Sequence, residues 1–162
     1  MQMLPPSNKL LPLLQEISSY LSQLLAALKN EHQALSENNM QAIESIANEK
    51  ILLMEHLEDL NKERRLILEA AGLNLTATGI DDFFQNNNSP RAQQMNTAWK
   101  EISGLTTECE KQNNINGIII ESNKRHTETA LSILQGKQQS SELYSKKGIA
   151  VKDSKNQTLI RA

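Results

Sequence analysis

The chain has 162 residues, enough for one domain with a core and too few for two ordinary ones. Aromatic residues are 3% of it and Gly and Pro together number ten, so little is available to build a sheet, whereas its Leu, Ile, Ala, Glu, Lys, Gln and Asn suit long helices. A formal net charge of −2 argues against a general nucleic-acid binder.

The charge is unevenly spread. Residues 1–136 carry 11 Lys/Arg against 17 Asp/Glu, and residues 137–162 carry 6 against 2, an acidic body with a basic tail. No aromatic or glycine pattern interleaves the tail lysines, so nucleic acid is not an expected partner there either. The opening Met1-Gln2-Met3-Leu4-Pro5-Pro6 lacks the basic and apolar regions of a secretory signal, and the apolar runs are far too short to insert into a membrane. A cytoplasmic protein is expected.

The first helix is predicted from about Leu11 to Ser36, with Pro12 in its opening turn. Leu10, Leu14, Ile17, Leu21, Leu24, Leu28, Glu31 and Leu35 step in alternating fours and threes, a coiled-coil seam. Ser36-Glu37-Asn38-Asn39 then breaks the pattern with side chains suited to a tight turn. The second helix runs from about Met40 to Ala71, its seam being Ile43, Ile46, Lys50, Leu53, Leu57, Leu60, Arg64, Ile67 and Ala71. Gly72 followed by apolar Leu73 reads as a Schellman stop. Folded antiparallel about the turn, Leu35 faces Ile43, Leu28 faces Lys50, Leu21 faces Leu57 and Leu14 faces Arg64. Glu31 then lies about one turn from Lys50. The two either pair across the seam and fix its register, or reach separately to solvent.

Residues 73–89 form a connector, with a short helical turn from Thr76 to Phe84 whose Phe83 and Phe84 cap the bundle end, and a loop at Asn86–Asn88. Ser89-Pro90 is a helix start signal. The third helix is predicted from Pro90 to Gln135, closed by Gly136. Its core spacing is Met95, Trp99, Ile102, Leu105 and Cys109, followed by a polar layer at Gln112-Asn113-Asn114. Mid-helix Gly117 costs about 1 kcal/mol relative to Ala, which predicts a close helix contact there. Leu21, Leu24, Leu53, Leu57, Trp99 and Ile102 are predicted to be interior.

No apolar residue occurs from Glu121 to Thr129; Ala130, Leu131, Ile133 and Leu134 then restore apolar character. At about 1.5 Å per residue the predicted helices measure roughly 39, 48 and 69 Å. The third, running back along the second, reaches the hairpin turn near residue 121 and projects about 20 Å further. The expected fold is therefore all-α: a coiled-coil-like antiparallel bundle of three long helices, a helical hairpin plus a longer third helix, over residues 1–136. A basic, flexible tail follows over 137–162.

The chemistry of catalysis is not in evidence. His32, His56 and His126 form no acid-x-x-His pair, and no phosphate loop, His-x-Glu or Cys-x-x-Cys signature occurs. Cys109 falls at a core position and reads as a small buried hydrophobe rather than a reactive thiol. Neither enzyme activity nor a cofactor or metal is expected.

The far end of the third helix is the candidate binding surface: Ile119, Ile120, Leu131 and Leu134, with Ala130 and Ile133 beside them. Such a stripe suits a partner's helix, or a second copy of the chain in a homodimer. In the tail, Leu143 and Tyr144 stand out as an apolar pair among lysines at 146, 147, 152 and 155. They read as a docking element, the alternative being that Tyr144 packs back on the third helix.

Three segments resemble the FlgN family of flagellar type III export chaperones. The first is Asn48-Glu49-Lys50-Ile51-Leu52-Leu53, continuing to Leu57-Glu58 and Arg64-Arg65-Leu66. The second is Asn113, Asn116-Gly117 and the isoleucines after them, with Arg125, Ala130-Leu131 and Leu134 in step. The third is Leu143-Tyr144 with Gly148, similar to a Leu-Tyr-Gly-x-x-Gly element, Ser145 standing where the family commonly has Gly. The resemblance spans roughly residues 10–148. It implies a cytoplasmic chaperone for the hook–filament junction (hook-associated) proteins. Such chaperones hold the helical termini of their substrates and deliver them to the cytoplasmic part of the export gate. It further implies that the C-terminal third grips substrate and that the tail acts at the gate. A structural coiled-coil scaffold is the competing reading.

Overall fold

The leucine seams translate directly into long helices. The computed structural model describes residues 7–73 and 75–136 and the short strands at 143–144 and 150–151. Its elements are α1 (Ser7–Ser36), α2 (Met40–Ala70), α3 (Ala77–Gln85), α4 (Pro90–Leu134), β1 (Leu143–Tyr144) and β2 (Ala150–Val151). The chain divides into two compact units, Met1–Ile120 and Glu121–Ala162. Among the described residues the fold is helical apart from one two-stranded antiparallel pairing, Leu143 with Val151 and Tyr144 with Ala150. Among the described residues four helices form where three long ones and a short turn were expected, the turn being a complete nine-residue helix.

α1 begins at Ser7, not Leu11, so Pro12 lies inside the helix and not in its opening turn. An interior proline removes a hydrogen bond and costs about 3 kcal/mol. Enclosing Leu10 and Leu13, both buried, is worth about 1.5–3 kcal/mol each and offsets it.

The turn to α2 is closed by two asparagines. Asn38 takes a left-handed conformation, with φ of 52°. Its N–H donates to the Leu35 carbonyl at 3.3 Å, and the Asn39 N–H donates to the Ala34 carbonyl at 2.9 Å. The Asn39 side chain then accepts from the Ala42 N–H at 3.1 Å, capping α2. One residue thus ends one helix and starts the next. α2 ends in the expected Schellman motif. Gly72, at φ of 71°, donates to the Glu69 carbonyl, and Leu73 donates to that of Leu68. Leu68 and Leu73 are both buried, the apolar contact that accompanies this motif.

Cross-helix contacts fix the directions. Tyr20 stacks on His56 with ring centroids 5.2 Å apart, and Glu31 pairs with Lys50, so α2 runs back along α1. The Cys109 thiol donates to the Leu21 carbonyl at 3.6 Å, and the Asn116 amide donates to that of Leu28 at 2.8 Å. Each pair is 88 residues apart and the pairs are one heptad apart, so α4 runs parallel to α1.

Leu21, Leu53, Leu57 and Ile102 are buried as predicted, whereas Leu24 and Trp99 are only partly so. Leu24 bridges two apolar clusters. Trp99 carries the Arg64 guanidinium 4.9 Å from its ring centroid. α3, capped by Thr76, whose hydroxyl oxygen accepts from the Gly79 N–H at 3.2 Å, contributes Ile80, Phe83 and Phe84 to the main cluster beside Leu10, Leu68 and Met95.

Candidate functional site

Positions 95, 102, 109 and 116 of α4 recur every seven residues, and all four side chains are buried. The first three are Met, Ile and Cys. The fourth, Asn116, is the polar layer of the interior. Its amide donates to the Leu28 carbonyl and to Glu31 Oε2, both at 2.8 Å, and its own oxygen accepts from Gln112 at 3.0 Å. Glu31 in turn receives Lys50 Nζ on both carboxylate oxygens at 2.9 Å. Three helices meet in this one network, with Glu31 only 4% exposed. The Glu31–Lys50 pair therefore forms, and neither head reaches separately to solvent. Sequence reasoning stopped the core at Cys109 and placed the polar layer at residues 112–114. Continuing the heptad by one more step would have found Asn116.

Gly117 does not mark a close helix contact. It is exposed, and a Cβ there would meet nothing within 4 Å. The helix turns Asn116 inward, which carries its neighbour outward.

The candidate binding residues are distributed along α4. Ile119 is partly buried and Ile120 exposed, both in the first unit. Ala130, Leu131, Ile133 and Leu134 belong to the second unit and are exposed, Leu131 at 49% and Leu134 at 82%. At 100° per residue, Ala130, Ile133 and Leu134 share one arc of about 100°, with Leu131 about 60° beyond it. The unit boundary falls between Ile120 and Glu121, where the sequence turns wholly polar. Every residue from Lys124 to Leu131 is exposed, and Gly136, at φ of 66°, closes the helix.

Leu143 and Tyr144 form β1. The lysines at 146, 147, 152 and 155, together with Gly148, lie outside the described residues, as does most of the tail expected over 137–162.

Titration follows burial. Desolvation pushes the Cys109 thiol up from its ordinary value, with Glu108 adding to the shift, which keeps it protonated and unreactive at neutral pH. Arg64 is pushed down by burial and by neighbouring Arg65. Its Nε has no hydrogen-bond partner, and its guanidinium lies over the Trp99 ring. Among the described residues no group of three His, Cys, Asp or Glu could hold a metal ion. No described helix is long and apolar enough to cross a membrane.

These features define a class: a small helical protein with heptad-packed helices, a buried polar layer, and a long last helix whose end is apolar and open. The chain matches the FlgN protein family over residues 3–152 and belongs to that family. A solved structure described as a flagella synthesis protein FlgN, from Pseudomonas aeruginosa, is similar to it. The two are 28% identical with a TM-score of 0.63, over 83% of this chain and 99% of that one. No protein of curated function matches the chain.

Proposed function

We propose that this protein is a cytoplasmic flagellar export chaperone that binds the helical termini of hook-associated junction proteins, keeps them soluble and delivers them to the type III export gate. The observation that carries the reading is the exposed apolar end of α4 in a chain of the FlgN family. Leu131, Ile133 and Leu134 together offer what an amphipathic helix needs on its partner, apolar side chains at helical spacing. On this reading the antiparallel three-helix bundle holds α4 in place. Ile119, Ile120, Ala130, Leu131, Ile133 and Leu134 grip the substrate. The basic tail docks at the gate through Leu143 and Tyr144, its lysines steering it toward an acidic surface.

The test is co-purification from flagellated cells, with mass spectrometry of what is bound. The double variant Leu131→Asp, Leu134→Asp is expected to lose junction proteins while its helicity and Tm stay as they were. Normal binding by that variant would place the grip elsewhere, and unfolding would make those leucines part of the core. Tyr144→Ala is expected to spare both stability and substrate binding but to impair secretion of the junction proteins.

A further inference from the structure

A second apolar surface lies on α2. Met40, Ile51, Leu52 and Met54 are all more than half exposed. At 100° per residue they fall within one arc of about 160°, turned away from the seam formed by Lys50, Leu53 and Leu57. Scattered exposed leucines are ordinary on a protein surface, but large side chains gathered on one helix face are not.

The charges interspersed on this face are acidic in excess: its two cations, Lys62 and Arg65, pair with Glu58 and Asp59 and with Glu69 on the same helix. Glu44, Glu55, Glu58 and Asp59 lie in the same arc and are exposed. Lys50 is held by both oxygens of Glu31, so it neutralises none of them. Lys62 is the first exposed cation along the helix, and it pairs with Glu58 at 3.1 Å and Asp59 at 3.5 Å. Glu44 and Glu55 are left without a basic partner on the helix.

We infer that the outer face of α2 is a docking surface for a basic amphipathic helix of a partner protein. The apolar stripe of that helix lies on Ile51, Leu52 and Met54, and its lysines and arginines flank the stripe toward Glu44 and Glu55. The unbranched methionines at 40 and 54 adapt to side chains of different shape. The same charges disfavour other occupants. A second copy packed on this face brings two net-acidic surfaces together, and an anionic membrane surface repels it. The inference is independent of the chaperone reading.

The test titrates the full chain with a labelled designed peptide, Leu and Lys at heptad spacing, followed by fluorescence anisotropy. A counterpart with Glu in place of Lys serves as the control. The Lys peptide is expected to bind at least about tenfold more tightly than the Glu peptide, and to weaken as salt rises. Ile51→Gln with Met54→Gln should weaken it by a further tenfold or more, with circular dichroism and Tm unchanged, since both side chains are exposed. Ile118→Gln, an exposed α4 residue outside the proposed grip, should leave it as it was. Undiminished affinity in the α2 variant overturns the inference, as does loss of binding in the α4 variant. Sedimentation showing a dimer that the α2 variant dissociates assigns the face to a second copy. Cross-links from the α2 face to residues 137–162 of the same chain assign it to the tail, and binding to anionic vesicles assigns it to a membrane. Each of these also overturns the inference.

Discussion

The two halves of α4 invert the usual rule of inside and outside. In the first half Asn116 is 1% exposed; in the second Leu134 is 82% exposed. Burial is decided by what neighbours supply. Asn116 enters the interior because Leu28, Glu31 and Gln112 satisfy its amide completely, and a buried polar group is tolerable on that condition. Leu134 remains open because the polar run ahead of it, from Glu121 to Thr129, supplies no apolar surface around it. A helix can therefore bury one part of its length against its neighbours and leave another part open.

The contrast can be broken most severely at the polar layer. Glu31→Ala strands Lys50 and the Asn116 amide and is expected to cost about 3–5 kcal/mol in urea unfolding. Replacing the layer as a unit, with Glu31→Leu, Lys50→Met and Asn116→Leu, should restore stability to within about 1 kcal/mol or exceed it. If Glu31→Ala alone proves nearly neutral, the network does not hold the helices in register. Leu57→Ala, in the seam of α2, is expected to cost about 2–5 kcal/mol; a loss under about 1 kcal/mol would place residue 57 outside a packed core. Gly117→Ala should raise stability by about 1 kcal/mol, because the position is helical, exposed and open. Smallest of all, Leu134→Asp should change stability by no more than about 0.5 kcal/mol, the mark of a side chain the fold does not use.

The fold was legible where sequence signals were local. The α1–α2 register followed from leucine spacing, and the α2 stop followed from Gly72-Leu73, whose positive φ and paired hydrogen bonds are as that dipeptide implies. What escaped depended on neighbours distant in the chain. Asn116 reads as an interruption until it is set beside Glu31, 85 residues away. Pro12 suggested a helix boundary, but burial of Leu10 outweighed it. The candidate site was legible as composition, a polar run followed by leucines. That Ala130, Ile133 and Leu134 share a face required only helical geometry, whereas their exposure required the structure.

The shared cap at Asn39 has a consequence in time. It joins α1 and α2 with almost no slack, and the contacts it brings together are near in sequence, Glu31 and Lys50 being 19 residues apart. The contacts of α4 with α1 close spans of 85 to 88 residues. Loop closure costs more over longer spans, so the hairpin is expected to assemble first and α4 to dock onto it afterwards. Substitutions at Asn39 should then slow refolding, while Asn116→Ala should mainly hasten unfolding, which stopped-flow kinetics would separate. The helix with the open apolar end is thereby the last to join the bundle and the first to leave it.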